Sequence, residues 1–266
     1  MKKSFITLLL FITACGKNSP HNSVTVPDLI LAANNRGNIT GTVLLYNNEG
    51  TVNADNSGIT VSIDNNNVST KTGADGKWTL DSIPSGTYDI TYSKDGYGSV
   101  KSMGVNHAAT NHATTFLSIS KILNQISDIG ITAIQISNFD ANTNMASLIQ
   151  SGVAPNGVHI EPIFANSSSS LKPVRLFFSD NANVTAANYL TAEKERFSGK
   201  GNEMNNYNYT IAWFVSRGFK PGQTIYLKAY GDGFANDEYD DPIKGITVFP
   251  SLSAKSAGIS FVLPLK

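Results

Sequence analysis

Thr72-Gly73-Ala74-Asp75-Gly76-Lys77-Trp78-Thr79-Leu80, followed by Ile83-Pro84-Ser85-Gly86-Thr87-Tyr88, is the stretch that decides the fold. Asp75-Gly76 is a hairpin corner, because glycine takes the positive φ that a tight turn requires and other residues resist. After the corner, Trp78 and Leu80 fall on one side of a strand of period two, with Lys77 and Thr79 on the other. Pro84 fixes a bend, and Gly86-Thr87-Tyr88 restarts a strand.

The same period continues outward in both directions. Upstream, Ile39, Gly41, Val43 and Leu45 alternate with Thr40, Thr42, Leu44 and Tyr46, and Ile59, Val61 and Ile63 alternate with Thr60 and Ser62. Asn65-Asn66-Asn67 suits a left-handed turn, with Val68 to Thr72 as the returning strand. Downstream, Tyr88, Ile90 and Tyr92 alternate with polar residues, Asp95-Gly96 turns again, and Tyr97 to Val105 and Thr114 to Ile119 close the set. Short strands with turn signals every 8–12 residues or so predict a sandwich or barrel of about seven strands over residues 37–120.

These residues also carry a resemblance. Gly41-Thr42-Val43, Gly58-Ile59-Thr60-Val61, Thr72 to Leu80, Ile83 to Tyr88 and Lys94-Asp95-Gly96-Tyr97 occur in the order found in the carboxypeptidase regulatory-like domain. The resemblance implies a transthyretin-type (prealbumin-like) sandwich of the carbohydrate-binding-like fold. It implies no catalytic residues, since in such families the domain accompanies enzymes and receptors without supplying chemistry.

Residues 125–266 read as a second all-β unit. Ile129 to Ile136, Val158 to Phe164, Val174 to Phe178, Tyr209 to Val215, Thr224 to Tyr230, Gly245 to Phe249 and Ile259 to Leu263 are the expected strands. Met145 to Ile149 is too short to assign to strand or helical turn. Ile211-Ala212-Trp213 and Ile225 to Tyr230 resemble facing strands of immunoglobulin-like or fibronectin type III domains. The fold class expected is therefore all-β, as two consecutive β-sandwiches.

The amino terminus is a different kind of segment. Met1-Lys2-Lys3 is cationic, Ser4 to Ile12 is mostly apolar, and Thr13-Ala14 precede Cys15-Gly16. That is the order of a secretory signal, and the apolar run is well short of the roughly 20 residues that span a bilayer. Ile12-Thr13-Ala14-Cys15 resembles the lipobox of bacterial lipoproteins. The resemblance implies cleavage of residues 1–14 and acylation of Cys15, and Gly16 after the cysteine implies the outer membrane. Two or more acyl chains anchor firmly where one is marginal. Residues 15–36 then form a polar tether, within which Leu29-Ile30-Leu31 is an alternative early strand. Cys15 is the chain's one cysteine, so no intrachain disulfide exists.

Of 266 residues 41% are hydrophobic and 15% charged, enough for real cores and too little charge for a disordered chain. Lysine plus arginine number 20, as do aspartate plus glutamate. Loss of Lys2 and Lys3 leaves the mature form slightly acidic. Without a clustered basic surface, nucleic-acid binding is excluded.

Candidate site residues are few. Asp232, Asp237, Glu238, Asp240 and Asp241 crowd into Gly231 to Pro242. Calcium takes six to eight oxygens, so Asp232, Asp237 and Asp240 are candidate calcium ligands, although EF-hand spacing is lacking. Phe234 and Tyr239, with Tyr207 and Tyr209 nearby, are candidate aromatic platforms for a ligand such as a glycan. His107 and His112 are read as exposed loop histidines. Glu193 and Glu195 share one side of a strand, without the cleft a glycosidase pair requires. Neither G-x-S-x-G, H-E-x-x-H, a P-loop nor G-x-G-x-x-G occurs, so no catalytic residue is assigned. The function expected is non-catalytic: an envelope lipoprotein, held to the membrane by its lipid, that binds a glycan or an envelope protein.

Overall fold

The computed structural model describes residues 35–139, 157–166, 171–198 and 208–265. The expected signal peptide, lipidation site and most of the tether lie outside the described residues, as do Met145 to Ile149 and Tyr207. Among the described residues no helix is long and apolar enough to cross a membrane.

The chain is all-β, in two sandwiches. In the first, β1 (Arg36–Tyr46) is the organising strand. Along one side it pairs antiparallel with β4 (Lys77–Pro84). Along the other it pairs in parallel first with β7 (Thr114–Phe116) and then with β8 (Lys121–Asn124). The facing sheet has the order β3 (Ser69–Lys71), β2 (Thr60–Ile63), β5 (Gly86–Ser93), β6 (Val100–His107). The period-two pattern puts Ile39, Val43 and Leu45 of β1, Trp78 and Leu80 of β4, and Ile90 and Tyr92 of β5 into one core. Each such side chain, fully buried, is worth roughly 1.5–3 kcal/mol.

Trp78 and Tyr92 meet edge to face, 5.7 Å between centroids. Gly41 lies beneath the indole, where a Cβ would come within 2.8 Å of its ring. β8 lies beyond residue 120 yet belongs to this sandwich: Leu123 is fully buried in its core. His107 also departs from expectation. It ends β6 at 1% exposure, with Nε2 donating to the Ile83 carbonyl at 3.2 Å and Nδ1 2.7 Å from the Thr115 hydroxyl. His112 is exposed and approaches the Arg36 carbonyl.

The second sandwich sets three strands against four. One sheet has the order β13 (Asn208–Thr210), β10 (Gly157–Phe164), β9 (Ile131–Phe139). The other has the order β12 (Thr191–Ser198), β11 (Leu171–Ser179), β14 (Thr224–Gly231), β17 (Ser256–Val262). A small hairpin, β15 (Tyr239–Asp241) with β16 (Ile246–Val248), intervenes before β17. Ile134, Ile160, Leu176, Phe178, Leu227 and Phe214 are among the residues of the shared core.

The expected strand Tyr209 to Val215 is only partly strand. After Thr210 the chain turns into a helix, α1 (Ile211–Ser216). The Thr210 hydroxyl caps it by accepting from the Trp213 amide at 3.0 Å. Ile211 and Phe214, three apart, are the residues it buries. An apolar run as short as Ile211 to Val215 fits either period, and the threonine cap decides for the helix.

Gly76 has φ +76°, and a Cβ there would lie 2.2 Å from the Val43 carbonyl oxygen. Gly76→Ala is therefore expected to cost about 2 kcal/mol or more, measured as a lower urea midpoint with an unchanged slope.

Candidate functional site

β11 is buried on both faces, although only one faces the core. The reason is the segment from Asp232 to Pro250, which folds back over the outer face of its sheet. Phe177 meets Tyr189, Tyr230 and Phe249 edge to face there, at 5.1–5.6 Å. Arg175, two positions away on the same outward side, is 7% exposed and needs a partner. Asp232 supplies it.

The Asp232 carboxylate, 2% exposed, is enclosed by donors. Oδ2 accepts from Arg175 Nε at 2.9 Å and lies 3.6 Å from Lys194 Nζ. Oδ1 accepts from the Gly233 amide at 2.8 Å and the Ser251 hydroxyl at 3.4 Å. Arg175 extends Nη2 to Glu238 at 3.2 Å, and its guanidinium lies 4.7 Å over the Phe249 ring. Lys194 also donates to the Ala235 carbonyl at 2.7 Å. Burial lowers its pKa, with Asp232 opposing that shift.

Asp237 is the uncompensated member. It is 5% exposed, and its Oδ2 has no hydrogen-bond partner. Burial pushes its carboxyl up, more strongly than the side chains of Asn124 and Ser251 pull it down; Asp232 adds to the rise and Lys194 opposes it.

This cluster lies where the two sandwiches meet. Asn124, at the end of β8 and 1% exposed, reads the backbone of Ala235 from both sides. Its Nδ2 donates to the Ala235 carbonyl at 2.9 Å and its Oδ1 accepts from the Ala235 amide at 3.2 Å. Gly233 makes room, since a Cβ there would be 2.4 Å from Asn124 Cγ. The Ser127 amide donates to the Ser251 carbonyl at 2.9 Å, and Gly98 packs against Pro250. The first sandwich thus grips the same segment that Arg175 and Lys194 hold from the second.

The sequence-derived candidates accordingly have other duties. Asp232 and Asp237 do share one cluster, but its positive charges come from arginine and lysine. Asp240 lies apart on β15, exposed, accepting from the Thr247 hydroxyl at 2.7 Å. Among the described residues no group of three or more His, Cys, Asp or Glu side chains is placed to hold a metal ion. Phe234 is half-buried against Gly50 of the first sandwich, with Arg196 5.7 Å over its ring. Tyr239 packs against the first core. Both aromatics serve the junction instead of an open platform, and Tyr209 is in the second core. Sequence reasoning passed over Arg175, Lys194 and Asn124. A lone arginine amid Val174, Leu176, Phe177 and Phe178 was the available signal.

Glu193 and Glu195 share a face of β12, as expected. Glu193 pairs with Arg217 at 2.7 Å, and the Arg217 guanidinium stacks 3.9 Å from the Trp213 ring. Glu195 accepts from the Tyr209 hydroxyl at 3.0 Å; burial raises its pKa against that bond. These contacts tie β13 and α1 to the edge of the sandwich.

Open space lies elsewhere. A groove of about 720 Å³ runs along β9, bounded by β17. Gln135, Ser137, His159 and Glu161 form its polar wall, and Ser260 and Phe261 face them. Ser137 and His159 stand opposite each other on that wall, and His159 Nδ1 lies 2.9 Å from Asn208 Oδ1.

The carboxypeptidase regulatory-like domain family matches residues 38–118 of this chain, within the first sandwich. Among curated proteins none matches. Several solved structures are similar at low score. A candidate carbohydrate binding protein from Bacteroides uniformis is 12% identical over 86% of this chain and 99% of its own, with TM-score 0.27. A DUF3823 family protein from Parabacteroides merdae is 16% identical over 87% and 98%, with TM-score 0.22. A type II cohesin–X-dockerin complex from Acetivibrio cellulolyticus is 22% identical over 33% of this chain, which spans 56% of that one, with TM-score 0.27.

Two variants test the junction. Arg175→Met leaves Asp232 buried with a weakened counter-charge and is expected to cost about 3 kcal/mol by denaturant titration. Asp237→Asn should act the other way. Because the folded-state pKa is raised, the stability Asp237 confers is fully present below its unfolded pKa and is lost as pH rises through the folded value. Asp237→Asn therefore melts higher than the parent at pH 7, and the gap closes near about pH 3, where both side chains are neutral.

Proposed function

We propose that this chain is a non-catalytic lipoprotein of the bacterial cell envelope. In this reading it is anchored through acylated Cys15, at the outer membrane, and displays two firmly joined sandwiches for binding. The observation that carries the reading is the division of labour among its polar groups. Apart from Asp237, the buried charges of the junction are spent on one another. A groove on the second sandwich is left open to solvent. The match of residues 38–118 to a domain that supplies no chemistry agrees with this.

We read the second sandwich as fibronectin type III-like. In chain order its first, second and fifth strands form one sheet, and its fourth, third, sixth and seventh form the other. Such a unit presents surfaces and loops from a rigid body, and the first sandwich sets it off from the membrane. The partner in this reading is a glycan or an envelope protein, met through the β9–β17 groove, with Phe234 and Tyr239 supporting the junction behind it.

Metabolic labelling with a clickable fatty acid, in cells making the parent or Cys15→Ser, tests the anchor. The parent should label and sediment with membranes, and the variant should do neither. Equal labelling of both would refute it.

A further inference from the structure

The segment from Asp232 to Pro250 is a strap held from both sides. From the second sandwich, Arg175 and Lys194 hold it at Asp232. From the first sandwich it is held twice. Asn124 bonds both backbone groups of Ala235, and Tyr239 packs against the first core, where β15 lies against β6. Asp237 stands midway between these two holds, two residues from each. Its side chain is 5% exposed, and its Oδ2 has no hydrogen-bond partner.

A buried oxygen without a partner is costly, and more so when it carries charge. The groups around Asp237 do not remove that cost. The ionisable ones are Asp232 and Glu238 on its own strap, Arg175 on β11 and Lys194 on β12. Asn124 of the first sandwich and Ser251, just past the strap, also face it, and neither is charged. Farther along the strap, Lys101 of β6 faces Tyr239 and Asp241 and is paired with Asp64, and Arg196 of β12 lies over Phe234. Both cations of the cluster already have partners. Arg175 holds Asp232 and Glu238, and Lys194 donates to the Ala235 carbonyl beside Asp232. With every group ionised, three carboxylates face two cations, and a proton on Asp237 restores the balance.

We propose that Asp237 is a pH-sensitive latch on the joint between the two sandwiches. Protonated, it lets the strap close on the first sandwich; ionised, it loosens the strap between Ala235 and Tyr239. In the closed strap, burial raises the Asp237 carboxyl above the ordinary carboxylate range. An opened strap returns the group to water and to an ordinary value of about 3.9. The preference for closure is therefore complete below the open-state pKa and is lost as pH rises through the closed-state pKa. Between the two values, each pH unit multiplies the open population about tenfold, and above them it levels off. Opening is local, because the pairing of β11 with β14 and the hold of Arg175 on Asp232 do not include Asp237. Both sandwiches stay folded, and the stiffness of their joint changes. The latch depends neither on the lipid anchor nor on a ligand.

The test is hydrogen–deuterium exchange on the full-length chain in detergent from about pH 4 to about pH 8, corrected for the intrinsic pH dependence of amide exchange. In the parent, corrected exchange in residues 233–239 should rise about tenfold per pH unit and then level off. In Asp237→Asn, nearly isosteric and uncharged, it should stay at the acid-side level throughout. Asp237→Ser, smaller and also neutral, should give the same flat profile, so the result does not hang on one substitution. Glu238→Gln leaves Asp237 in place and should keep the rise. Exchange in β11 and β14 should hold steady in all four proteins, which marks local opening. Equal pH profiles in the parent and both Asp237 variants overturn the proposal. So does a rise that Glu238→Gln abolishes, or one that spreads through β11 and β14.

Discussion

The carboxylate of Asp232 is the constraint on which the second sandwich and its junction with the first depend. Arg175 points away from the core on a strand buried on both faces, and a buried guanidinium is tolerable only with a fixed counter-charge. Asp232 provides that charge immediately after β14, so the chain leaving β14 must lie across the outer face of the sheet. Lys194 reinforces the same placement from β12. With this first step fixed, the segment beyond it covers Phe177 and brings Ala235 to Asn124. Ser251 returns to Asp232 and to the Ser127 amide, so both ends of the segment are held at one point. The ion pair is costly to desolvate and contributes little net stability for that reason. Its effect is to specify one path for about twenty residues that have little secondary structure of their own.

Where the fold was legible in the sequence, the cause was local. Asp75-Gly76, Pro84 and the alternation through Trp78, Leu80, Ile90 and Tyr92 each fix a turn or a face without reference to distant residues, and β4 and β5 follow them. Where the reading failed, the cause was distant or degenerate. Ile211 to Val215 is apolar enough for a strand, and the cap from Thr210 tips it into a helix. His107 looks like a loop residue until the Ile83 carbonyl and Thr115, brought by other strands, enclose it. β8 gains its identity from a parallel partner some eighty residues upstream.

The site was half legible in a different sense. The acidic, aromatic segment from Asp232 to Asp241 stood out correctly as unusual, but its composition could not say what faces it. Five carboxylates within ten residues suggest a cation, but Asp232 and Glu238 meet Arg175 on β11, 57 residues before Asp232, and Asp241 meets Lys244. Phe234 and Tyr239 suggest a ligand platform, and the surfaces that cover them belong to another sandwich. Composition marks a residue as needing a partner. Topology alone decides whether that partner is a ligand or the protein itself.

That distinction also bears on where function resides. A junction built around a buried ion pair such as Arg175–Asp232 tolerates the loss of either partner poorly, so it is a weak place to bind anything exchangeable. A surface that must accept a partner has to leave hydrogen-bonding capacity unspent, and unspent capacity at a sheet edge carries the hazard of indiscriminate pairing. The contrast between β12, with Glu193 to Arg196, and the uncharged β9 and β17 is therefore informative. β12 stands alone at its edge, whereas β9 and β17 run side by side, so each shields the other from a further strand.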